Sequence, residues 1–143
     1  MSDESDDLLS LCWRSGQASR LALLVDGSEY FGALRASLLS AEKSIFMLGW
    51  DVDSRTRLTG ASQKPTDGAP ADLRSFLGKL VARTPKLNIQ ILLWDYSLLY
   101  SLERELLPKF ALGWRTPDRV DIALDSQFPI GASQHHKLVV VDD

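Results

Sequence analysis

KSIFMLGW, Lys43–Trp50, is the stretch on which the fold turns. Ile45 to Leu48 is uniformly apolar, whereas a surface helix would interrupt such a run with polar positions every three to four residues. A strand buried on both faces fits it better. LNIQILLWD (Leu87–Asp95) reads the same way. RVDIAL (Arg119–Leu124) alternates enough to be a strand, and KLVVV (Lys137–Val141) is the last. RLALLVD (Arg20–Asp26), closed by the turn pair Asp26-Gly27, is predicted to be a strand at the front.

Helical patterns fill the gaps. Ser28 is the expected N-cap of a helix over 28–41, with Glu29 in its first turn and Phe31, Leu34, Leu38 and Ala41 on one face. Thr59 to Pro70 is a loop by composition. Asp72 caps the next helix, whose stripe is Leu73, Phe76, Leu77, Leu80 and Val81, and Pro85 enforces its end. Leu98, Leu99, Leu102 and Leu106 mark a third helix, stopped by Pro108, with a core stripe rather than a lipid-inserting face. Strand and helix alternating in this way predict an α/β fold with a mixed, mostly parallel sheet flanked by helices.

Direction matters most at the last strand. Residues 125–134 contain Pro129 and Gly131 and carry no helical stripe, so they are too short for the crossover that a parallel neighbour needs. The final strand should therefore run antiparallel to the one at 119–124. Its start, His135 and Lys137, then joins Trp50-Asp51 and Trp94-Asp95 at the carboxyl edge of the sheet, where open α/β sheets form their sites.

The totals narrow the function. A chain of 143 residues suits one domain, and a net charge of -3 is no footprint for duplex nucleic acid. The single cysteine, Cys12, excludes an internal disulfide and cysteine-based zinc motifs, and it fits a reducing, cytoplasmic setting. MSDESDD at the start is acidic, so residues 1–20 read as a solvated, mobile leader rather than a secretory signal. No run approaches the roughly 18 apolar residues of a membrane span, so any membrane contact is expected to be peripheral.

The only two histidines are adjacent, His135 and His136. Within His135-x-Lys137-x4-Asp142, strand parity points His135 and Lys137 to one face and His136 to the other. An imidazole beside an ammonium is a poor structural pair unless an anion lies between them. Neutral imidazole can attack phosphorus while the lysine holds the phosphoryl oxygens. Asp142, of opposite parity to His135, reads as an anchor at the strand end unless the strand bulges. A metal set of His135, His136, Asp142 and Asp143 is the rival, but adjacent histidines diverge and the acids lie about 20 Å along the strand. The stretch Trp50–Arg55 either lines a pocket or merely closes its strand, and closing is the simpler reading.

The spacing resembles the HKD motif of the phospholipase D superfamily, and the stretches Val25–Leu58, Ile91–Phe110 and Leu112–Asp143 are similar in order and spacing to bacterial phospholipase D-like and cardiolipin synthase-like proteins. The resemblance runs from about Leu21 to Asp143. It implies a phospholipase D-like lobe, residues 21–143, ending at its first HKD motif, with His135, Lys137 and Asp142 as the motif's catalytic set. The implied chemistry is phosphodiester cleavage or phosphatidyl transfer through a phosphohistidine, without metal or cofactor. A second histidine, from another HKD copy, would protonate the leaving alcohol. Both histidines here lie in one motif, so that copy is expected from a following C-terminal half or a homodimer, and the chain alone is expected to be inactive. The alternatives are a non-catalytic fragment of such an enzyme and a superfamily nuclease acting as a dimer. The family commonly shows His-His-Gln-Lys, whereas this chain has Gln134-His135-His136-Lys137, so hydrogen bonds of the flanking residues do not carry over.

Overall fold

The computed structural model describes residues 10–59, 64–95, 118–129, 132 and 134–143. The helix expected around Leu98–Leu106 and the first nine residues of the acidic leader lie outside these. The elements in chain order are α1 (Asp26–Ser40), β1 (Ser44–Gly49), α2 (Leu73–Arg83), β2 (Asn88–Trp94), β3 (Val120–Asp125) and β4 (Leu138–Val141). The four strands make one sheet in the order β3-β2-β1-β4. β1, β2 and β3 are parallel, and β4 is antiparallel to β1. This is the α/β, mostly parallel arrangement read from the alternation of patterns.

β4 has the expected direction, but its neighbour is β1 rather than β3. The steps from β1 to β2 and from β2 to β3 both move outward on one side, which leaves the far side of β1 vacant. Reaching it from β3 crosses three strand spacings, about 14 Å, well within the reach of residues 126–137.

Arg20–Val25 is not a strand. Leu21 and Leu23 are 96% and 91% exposed, and no described strand pairs with them. α1 begins at Asp26, whose φ of 69° sets the turn into the helix. One Asp26 carboxylate oxygen accepts from Ser28 N at 2.6 Å, Ser28 Oγ at 2.8 Å and Glu29 N at 3.3 Å. Glu29 reaches back to accept from Val25 N at 2.7 Å, so Val25 takes the N-cap position and the carboxylates of Asp26 and Glu29, rather than a Ser28 cap, hold the amides of the first turn. At α2 the cap is Asp72, as read from the sequence, accepting from Ser75 N at 2.9 Å.

Among the described residues, the strands are covered on one face. Ile45 and Met47 of β1, Ile89, Ile91 and Leu93 of β2, and Val120 and Ile122 of β3 meet Leu38 of α1 and Phe76, Leu77, Leu80 and Val81 of α2 in a single buried cluster. The alternate residues Phe46, Leu92 and Leu138 are 38%, 38% and 52% exposed, because the described helices pack on the same side. None of those helices is long and apolar enough to cross a membrane.

Arg35 is buried in the apolar stripe of α1 and lies 4.5 Å from the centre of the Phe76 ring. It donates to both Asp67 oxygens at 2.6 and 2.7 Å, and to the carbonyls of Pro70 at 2.8 Å and Ala69 at 2.9 Å. Gly68, at φ 71°, makes the turn that lets this loop wrap the guanidinium. The Arg35 hydrogen bonds hold the Asp67 carboxyl down at about 2. At the opposite end of α2, Arg119 donates to the carbonyls of Val81, Thr84 and Leu87, tying β3 to the helix terminus.

Candidate functional site

The carboxyl ends of β1 and β2 and the start of β4 meet at one edge, as the pairing of Leu48 with Leu138 requires. Asp95 N donates to Asp125 O at 2.9 Å and carries the ladder one step past β2 and β3. Aromatic rings run across this edge. Phe128 meets Trp94 at 5.5 Å edge-on, Trp94 stacks on Trp50 at 5.8 Å, and Trp50 meets the His135 imidazole at 5.5 Å. Such contacts contribute about 0.5–1.5 kcal/mol each beyond area burial, so the edge is stiff beneath an exposed imidazole.

His135, His136 and Lys137 are all exposed. Lys137 stands at a depression between α1 and the sheet, lined by Phe31, Leu34, Met47, Val52 and Leu73, with Asp51 also in its wall. Asp51 to Asp53 therefore line a cavity rather than only closing their strand. His136 borders a smaller hollow with Trp94, Asp125 and Gln134. Two consecutive side chains thus part to two separate hollows, as expected of an extended segment.

Asp142 is elsewhere. Its carboxylate accepts from Lys43 N at 2.7 Å, Glu42 N at 2.8 Å and Ser44 N at 2.9 Å, and its own N–H donates to Ser44 O at 2.9 Å. The Ser44 amide leads these in holding its carboxyl below the usual carboxylate range. Asp142 lies five residue steps along the strand from Lys137, about 16 Å. It therefore lies apart from His135 and Lys137, with its oxygens engaged by backbone at the far end of the strand. The anchoring reading from parity holds. The same separation splits the rival metal set, and no group of three His, Cys, Asp or Glu side chains among the described residues stands ready to hold a metal ion.

Sequence reasoning missed Asp125 and Gln134. One Asp125 oxygen accepts from Gln127 N at 2.9 Å, and the other accepts from the Gln134 amide at 2.5 Å. Asp125-Ser126 after a strand is an Asx-turn signal that could have flagged the first contact. The second joins residues across a loop and has no local signature. No protein-family model matches the chain, and no curated protein sequence matches it significantly.

Proposed function

We propose that this chain is a lobe of a phospholipase D-like phosphodiesterase or phosphatidyltransferase. The observation that carries the reading is Lys137, an exposed ammonium standing over an apolar depression at the strand edge that also bears His135. A diester with an apolar arm suits that arrangement, with the arm in the depression and the phosphate at the ammonium. A lipid fits it better than a nucleic acid strand, whose neighbours to the phosphate are polar sugars. The chain's acidic balance points the same way.

In the proposed first step the His135 imidazole forms a bond to phosphorus while the bond to the leaving alcohol breaks. The departing oxygen takes a proton from a second imidazole. That imidazole then removes a proton from water or an acceptor alcohol, whose oxygen attacks phosphorus and releases His135. Lys137 holds the charge that grows on the non-bridging oxygens. His136 borders the other hollow, so the second imidazole is assigned to a further lobe or a second copy.

A p-nitrophenyl alkyl phosphodiester tests this directly, since p-nitrophenolate leaves without needing a proton. The chain alone should release one equivalent in a burst, without turnover, and leave an acid-labile alkyl phosphoryl group on His135. No burst, or an equal burst from His135→Asn, sinks the reading. Salt-dependent binding of single-stranded DNA in preference to phosphatidylglycerol vesicles would move the substrate to nucleic acid.

A further inference from the structure

Residues 134–137 precede the ladder, because β4 starts at Leu138. Strand pairing therefore does not dictate on which side each of them leaves the edge. Two adjacent imidazoles occupy this segment, and in extended backbone a slip of one residue exchanges them. Something must choose.

Gln134 and His136 share the hollow with Trp94 and Asp125, while Lys137 opens on the other depression. Gln134 is tied there by its 2.5 Å bond to Asp125. Asp125 is itself held, since Gln127 N donates to its other carboxylate oxygen and Asp95 N to its main-chain oxygen. With Gln134 fixed there, the next residue, His135, meets the Trp50 ring at 5.5 Å. Trp50 is in turn braced by Trp94 and, through it, by Phe128.

We propose that Gln134 and Asp125 form a register latch that selects His135 over His136 as the imidazole seated on the Trp50 ring at this edge. Gln134 is a positioning residue, acting through His135. The catalytic consequence rests on the phosphodiester reading, whereas the placement of the rings does not.

Side-chain NMR of the full chain reads the two imidazoles separately. The Trp50 ring current should displace the His135 ring protons from their exposed positions, and Trp50→Leu should abolish that displacement. Gln134→Glu keeps the size of the residue but sets a carboxylate against Asp125. It should collapse the His135 displacement and slow the p-nitrophenolate burst about tenfold to a hundredfold. Adding Asp125→Asn restores a donor with the polarity reversed and should recover both readouts, which separates lost register from lost folding. A His135 displacement unchanged in Gln134→Glu, or unrecovered in the double variant, overturns the latch. If the rings respond as described while the unaltered chain gives no burst, the latch stands and the phosphodiester reading falls.

Discussion

The two ends of β4 are built on opposite plans. At Asp142 three backbone amides converge on one carboxylate, and the main chain closes back on Ser44. At His135–Lys137 the side chains are exposed, and the segment is steadied from beside it, by Gln134 on Asp125 and Trp50 on His135. The pinned end sets Val141 against Ile45, and from there the ladder delivers Leu138 opposite Leu48. The end that carries His135 and Lys137 thus inherits its position from an acid far down the strand. A motif that reads as three reactive residues resolves into two that face solvent and one that sets where they emerge.

Substitutions at each end should separate these parts. His135→Asn is expected to abolish the burst with only a small drop in thermal midpoint, because its exposed ring gives up little beyond the Trp50 contact; calorimetry beside the burst assay checks both. Lys137→Met should slow the burst about a hundredfold by removing the only described cation at that depression, at constant stability. Asp142→Asn should do the reverse in kind. It keeps one acceptor but loses the charge, so the melting temperature should drop and amide exchange at Val139–Val141 should quicken, with the burst slowed only as far as β4 shifts. If Asp142→Asn silences the burst in a protein of unchanged melting temperature, the contrast between the ends is wrong.

Acid gives the smallest and most diagnostic effect. Asp142 and Asp67 both have carboxyls held below the ordinary value, so each contributes stability that is complete above the unfolded value of 3.8 and fades as pH falls through the folded one. For Asp67 that window runs from 3.8 down to about 2. Asp67→Asn should flatten the loss of stability over that range, measured as denaturation midpoint against pH, while leaving the burst untouched. Asp142→Asn should flatten it too, but with the exchange of β4 amides altered as well.

Much of this architecture was legible in advance. The apolar runs at 43–50 and 87–95, the Asp72 cap and the stripe of α2 all appear where spacing put them, since each depends on neighbours within a turn or two of chain. The failures have a common origin. Arg20–Val25 has a strand's composition but no described partner strand, and composition cannot supply one. The strands of the sheet look apolar on both faces, yet only assembly reveals that α1 and α2 share a side. Arg35 could have been suspected, being a charge inside a helical stripe, but its partner lies 32 residues on.

By itself, then, the sequence determined β1 to β4 and the two described helices, the direction of the last strand, and the arrival of His135 and Lys137 at the carboxyl edge. Periodicity and turn chemistry are local, and local interactions are written in consecutive residues. Tertiary structure alone decided that β4 lies beside β1, that Asp142 grips amides about 100 residues away, and that Gln134 reaches Asp125. Those choices depend on which surface remains vacant once the other strands have paired, and that is settled only when the whole sheet is assembled.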